Sequence, residues 1–160
     1  MPDGAAPLVM VAPSTAATGE QGLAETTVEG LRGANVRVAV SGLHPPAFEE
    51  PWVASGFGRQ DLLVAKADAV VCGGGHGMLT KALTAGRPVV VVPGAGDQWE
   101  LANRVARQGS GVLVRPATPE AIRDGVRRVL DDPSFARAAR DAAATAHRVA
   151  DPVLVCEGYR

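Results

Sequence analysis

Ala69-Val70-Val71-Cys72 is a continuous apolar run, and Gly73-Gly74-Gly75-His76-Gly77 follows it directly. A short run of this kind, rich in β-branched residues, reads as a strand buried on both faces, and the glycines read as the turn that leaves it. Beyond the turn, Met78 to Ala85 predicts a helix that Gly86 stops. Pro88 then leads into Val89-Val90-Val91-Val92, a second buried strand, which Pro93 and Gly94-Ala95-Gly96 end. Strand, glycine turn, helix, strand is the βαβ unit of a parallel sheet.

The same alternation extends in both directions. Upstream, Leu8 to Ala12 reads as a strand ended by Pro13. A helix is predicted from Glu20 to Leu31, with Leu23, Thr27 and Leu31 spaced four apart, and Gly33 stops it. Val36 to Val40 is the next strand, His44 to Pro51 a Pro-rich acidic loop, Trp52 to Ala54 a short strand and Asp61 to Lys66 a short helix. Downstream, Asp97 to about Gln108 reads as a helix and Val112 to Val114 as the last strand. Thr118-Pro119-Glu120 then carries an N-cap, a proline at the first helical position and an acid in the first turn. Ile122, Val126, Val129 and Leu130 form the buried stripe of that helix, and Asp132-Pro133 restarts the chain into an Ala- and Arg-rich helix to about Val149. The expected architecture is α/β: residues 1–160 as one domain with a doubly wound parallel sheet covered on both faces. Ligands of such sheets lie outside the carboxyl ends of the strands. Here those ends carry Ser14-Thr15, the glycine loop after Cys72, and Gly94 to Gln98.

Composition excludes several classes. The chain has 160 residues, 16 Lys plus Arg, 17 Asp plus Glu and a net charge of −1, with 46% hydrophobic and 21% charged residues. It is too apolar and too nearly neutral for a disordered chain, and it has no global electrostatic pull toward nucleic acid or an anionic membrane. No apolar run approaches the roughly 20 residues of a membrane span. Met1 to Pro7 lacks the features of a signal peptide. Cys72 and Cys156 have no metal-ligand spacing and read as reduced thiols of a cytoplasmic protein.

The glycine loop is the strongest chemical feature. Its backbone can approach a ligand closely, and the following helix offers free N–H groups and a positive dipole end, which together suit a diphosphate. A dinucleotide fingerprint is absent, because Met78 stands where G-x-G-x-x-G needs its third glycine, and there is no G-x-x-x-x-G-K-[ST]. His76 has three open roles: donating to a phosphate oxygen, capping the turn or facing solvent. Asp97 reads as an N-cap with Glu100 completing a capping-box-like pair, a role compatible with holding ligand hydroxyls. Cys72 reads as a small buried residue rather than a nucleophile. Trp52 and Trp99 suit packing and base stacking equally. Arg104, Arg107, Arg115, Arg123, Arg127 and Arg128 read most simply as solvated charges.

Ala67-Asp68-Ala69-Val70-Val71-Cys72-Gly73-Gly74-Gly75-His76-Gly77 resembles the AD-x-V-V-x-H-G-G-x-G-T signature of family 1 glycosyltransferases, which include UDP-glucuronosyl and macrolide-type enzymes. Ala82-Leu83, Gly86, Pro88 to Pro93, Asp97-Gln98 and Arg104-Val105 continue it in register, and Val9 to Ala16 is similar to the first strand and loop of that family's C-terminal domain. The resemblance implies the C-terminal half of a GT-B fold, in which two Rossmann-like domains face each other. The C-terminal half binds a nucleotide-diphosphate sugar, and the N-terminal half binds the acceptor and usually supplies the general base.

By resemblance, Gly74, Gly75 and Gly77 give backbone contacts to the diphosphate. Ser14 and Thr15 lie near the phosphates, and Asp97 and Gln98 hold sugar hydroxyls. The family's W-x-P-Q segment, which stacks under the base, falls on Phe57-Gly58-Arg59-Gln60 and keeps Gln60; an offset register would use Trp52. The family's diphosphate-binding His is Gly73 here, its phosphate-binding Thr is Met78, its often acidic ribose position is Lys81, and a common Asn is Leu101. His76 is one candidate to substitute for the missing His, and Lys81 is a candidate to reach a phosphate.

The implied function is hexosyl transfer from a UDP- or TDP-sugar to a small molecule, without a metal or other cofactor. The acceptor domain would be joined in cis or supplied as a separate chain. The alternative is a degenerate half acting as a non-catalytic binding module.

Overall fold

A computed structural model of the chain describes residues 2, 4–13, 22–149 and 152–158. Six strands form one sheet: β1 (Leu8–Ala12), β2 (Arg37–Ser41), β3 (Val53–Gly56), β4 (Ala69–Cys72), β5 (Val89–Val91) and β6 (Gly111–Leu113). Their order is β3-β2-β1-β4-β5-β6 and every pairing is parallel. Each strand lies within a residue or two of its predicted position. β3 runs on to Gly56, because its last residues pair with the end of β2, Ser41 opposite Gly56.

Seven helices accompany the strands among the described residues: α1 (Leu23–Leu31), α2 (Gln60–Lys66), α3 (His76–Thr84), α4 (Gln98–Gln108), α5 (Pro119–Asp131), α6 (Pro133–Ala146) and α7 (Pro152–Glu157). The expected helix from Glu20 is described only from Leu23, after Gly22 in the left-handed conformation. α7 was not anticipated. α5 and α6 begin as their sequences dictate: Thr118 Oγ1 accepts the Ala121 N–H at 3.2 Å, and Asp132 Oδ1 accepts the Ser134 N–H at 2.9 Å. The expected helix to Val149 ends at Ala146.

Successive strand residues point to opposite faces, and the sheet divides its side chains accordingly. Val9, Val11, Val38, Val40, Val71 and Val90 pack with α1 and α5 on one face. Met10, Ala12, Val70, Cys72, Val89 and Val91 pack with α2, α3 and α4 on the other. Burying each such Val or Met contributes about 1.5–3 kcal/mol, which is why a strand apolar at every position belongs in the middle of this sheet. Arg123 is not a free surface charge, since its Nε donates to the Gly30 carbonyl at 2.5 Å and joins α5 to α1.

β1 and β4 are neighbours at the point where the strand order reverses. The two strands are clasped at the other end by Asp68, whose N–H donates to the Leu8 carbonyl at 2.8 Å and whose Oδ2 accepts the Leu8 N–H at 2.7 Å. Asp68→Ala leaves the N–H of fully buried Leu8 without that acceptor. The expected loss is about 1–3 kcal/mol of unfolding free energy, measured by urea denaturation.

Candidate functional site

The carboxyl ends of β1 and β4 open a crevice at the switch point, where open α/β sheets bind ligands. Gly74 sits at its base with φ +84, a conformation that disfavours any side chain, and a Cβ there would lie 2.7 Å from Val91 Cγ1 and 3.4 Å from the Gln98 carbonyl. The loop therefore lies flat across β5 and the start of α4. Gly75 and Gly77 are different: a Cβ on either would meet nothing within 4 Å. Their backbone borders a cleft of about 310 Å³, which Pro13, Gln60, Met78 and Lys81 also line.

His76 is not in the loop, as the sequence suggested, but is the first residue of α3. The helix starts early because Gly75, extended at φ −65 and ψ 145, serves as its N-cap, and it offers no side chain to satisfy the first-turn N–H groups. Those donors and the positive end of the helix border the same cleft.

The second loop, Gly94 to Gln98, stands beside it. Asp97 is the N-cap of α4 by position, but its side chain makes no cap hydrogen bond. Its Oδ2 lies 3.3 Å from His76 Nδ1 instead, with both side chains about 70% exposed, at 71% and 70%. The expected capping-box pair does not form, because Glu100 turns to Arg104 at 2.9 Å and Arg107 at 3.1 Å. The Arg104 hydrogen bond, with Arg107 beside it, holds the Glu100 carboxyl below its ordinary range. Gln98 is only 5% exposed, and its Oε1 accepts the Gly94 N–H at 2.9 Å, closing the loop on itself. Trp99 packs on the same loop: its Nε1 donates to the Gly94 carbonyl at 3.1 Å, under the Arg115 guanidinium at 5.1 Å.

A second space of about 510 Å³ adjoins the first, lined by Phe57, Gln60, Leu43 and Lys81. Phe57 is 80% exposed and Leu43 61% exposed. Trp52, the offset candidate, packs against the core. Arg59 and Asp61 are joined by two hydrogen bonds of 2.9 and 2.5 Å, and that bonding draws the Asp61 carboxyl down to about 2. Gln60 Oε1 accepts from Lys81 Nζ at 3.0 Å.

The structure thus gathers Gln60, Gly74, Gly75, His76, Gly77, Asp97 and Gln98 at one edge of the sheet. Ser14 and Thr15 lie outside the described residues. Leu43 was missed from the sequence; its signal was its place just past the carboxyl end of β2. Cys72 is fully buried, which pushes its thiol up to about 11.

Comparisons with known proteins give the family and the fold. Residues 58–156, more than half of the chain, match the family model of the erythromycin biosynthesis protein CIII-like, C-terminal domain. The chain belongs to this family. Over 98% of its length it is 33% identical to 4'-demethylrebeccamycin synthase of Lentzea aerocolonigenes, covering 39% of that protein. A calicheamicin glycosyltransferase structure aligns over 99% of the chain and 43% of its own, at TM-score 0.84 and 23% identity. A spinosyn rhamnosyltransferase complexed with thymidine diphosphate aligns over 96% of the chain and 45% of its own, at TM-score 0.81 and 22% identity. The sheet of this CIII-like domain is accordingly that of a GT-B glycosyltransferase half, and the chain spans about two-fifths of the length of each protein compared, from 39% to 45%. No helix among the described residues is long and apolar enough to cross a membrane.

Two outcomes are expected of this site. Gly74→Ala should destabilise the fold by about 1–3 kcal/mol, read from the urea midpoint. The folded Cys72 thiol keeps its proton to about 11 where an unfolded one releases it near 9. The unfolded state therefore binds fewer protons in that interval, and stability falls as pH rises through it. The fall should be smaller in Cys72→Ala, measured by denaturation at each pH.

Proposed function

We propose that this chain is the donor-binding domain of an inverting glycosyltransferase that transfers a hexosyl group from a UDP- or TDP-sugar to a small-molecule acceptor. The observation that carries this reading is the open backbone at Gly75 and Gly77, beside the N-terminus of α3, which no side chain caps and whose His76 meets Asp97. Backbone N–H groups and a helix dipole suit a diphosphate without a metal ion or a basic surface. The similar structures named as a calicheamicin glycosyltransferase and as a spinosyn rhamnosyltransferase complexed with thymidine diphosphate support the same reading. No observation favours the non-catalytic alternative.

In this proposal Gly74 holds the loop flat, while Gly75 and Gly77 donate to the diphosphate. Phe57 lies under the base and Gln60 borders the ribose. Asp97 accepts from sugar hydroxyls, and Gln98 contributes its amide nitrogen while its Oε1 closes the loop. His76 fixes the Asp97 carboxylate, and the resemblance assigns Ser14 and Thr15 to the phosphates. An acceptor domain, in cis or as a separate chain, supplies the base. That base takes the proton from the acceptor hydroxyl as its oxygen attacks the anomeric carbon, and the bond to the diphosphate breaks. The negative charge gathering on the leaving diphosphate meets the first turn of α3. A cytoplasmic setting is part of this proposal, and the free cysteines Cys72 and Cys156 support it.

Calorimetric titration with UDP, thymidine diphosphate and their glucose conjugates tests the reading. Wild-type chain should bind at least one nucleotide sugar. Asp97→Ala should weaken the sugar conjugate by about tenfold, the scale of one charge-assisted hydrogen bond, and leave the free nucleotide unchanged. Absence of any binding at millimolar ligand would sink the donor reading.

A further inference from the structure

We infer that Lys81 supplies the positive charge that recognises the donor diphosphate, acting from the wall shared by the two spaces of the crevice. The inference rests on the donor reading above and assigns a role to a residue that departs from the signature.

Lys81 borders both the 310 Å³ cleft and the 510 Å³ pocket. Among the described residues it is the one charged side chain lining the cleft. The other charges of the larger pocket, Arg59 and Asp61, satisfy each other. Lys81 itself forms no ion pair among the described residues, and its Nζ donates to the neutral Gln60 Oε1 at 3.0 Å. An ammonium has three donors and no acceptor, so that bond fixes its position, leaves its charge whole and leaves donors for a ligand.

Its position on α3 directs it usefully. Lys81 stands one turn beyond Gly77, and helical side chains lean toward the N-terminus of their helix. The ammonium therefore reaches back toward the first turn, where the backbone of Gly75 and Gly77 borders open space. The backbone there offers dipoles only, and Gly73 and Met78 bring neither charge nor hydroxyl. One exposed lysine provides the full charge that these positions lack. The bond also orients its partner. Nζ can only donate, so Gln60 must turn its oxygen toward Lys81, which directs its amide N–H donors away from it.

Titrations of wild type, Lys81→Gln and Lys81→Arg with thymidine, uridine and their diphosphates, at low and high sodium chloride, test this. Lys81→Gln should weaken the preferred diphosphate by about tenfold and leave the nucleoside unchanged. Its diphosphate affinity should also fall less steeply with salt, because a screened charge has been removed. Lys81→Arg should retain most of the affinity. If Lys81→Gln binds the diphosphate as tightly as wild type and with the same salt dependence, the role of Lys81 is overturned and the donor reading stands. If wild type binds neither diphosphate, both fall.

Discussion

Contact between Val91 and the bare backbone of Gly74 governs this crevice. With 2.7 Å between Val91 Cγ1 and the place a Cβ would occupy, the loop after β4 can lie against β5 only because position 74 carries no side chain. That closeness brings the start of α3 beside the start of α4, where Gly74 lies against Gln98. It also brings His76 of one helix to Asp97 of the other. The sheet supports the arrangement from below: Val91 is fully buried, and Val92 N–H donates to the Cys72 carbonyl at 2.9 Å, tying the ends of the two strands.

The two loops divide their tasks between rigidity and exposure. Gln98 and Trp99 turn back on Gly94, so the second loop is closed by its own side chains. Gly75 and Gly77 remain bare. In the proposed donor site, a polar loop closed on itself stands beside an open backbone, which suits a ligand anionic at one end and hydroxyl-rich at the other. Little reorganisation is needed where donors already stand in place.

The fold was legible because β1, β4 and β5 are apolar at every position, a pattern that suits a sheet covered on both faces. Thr118 and Asp132 announced their helices because capping is local: donor and acceptor lie within three residues of each other. The glycine loop was legible for the same reason. The side-chain geometry was not. Asp97 carried the signature of a capping box, yet its partner is His76 and Glu100 belongs to Arg104 and Arg107. Lys81 and Gln60 meet across 21 residues of chain and two helices. Such pairings depend on how helices are set on the sheet, which no local pattern encodes. Arg123 was misjudged likewise, since its acceptor, Gly30, lies 93 residues away.

The central pair of strands carries a consequence for assembly. β1 and β4 lie side by side, yet Leu8 and Asp68 are 60 residues apart along the chain. As the chain leaves a ribosome, β1 and β2 can pair early, but one edge of β1 stays open until β4 has been synthesised. The crevice is built from both strands, so it cannot exist in any shorter nascent chain. Long-range parallel pairing of this kind is slow because the intervening loop must first be closed. During that interval the apolar edge of β1 is a natural substrate for a chaperone.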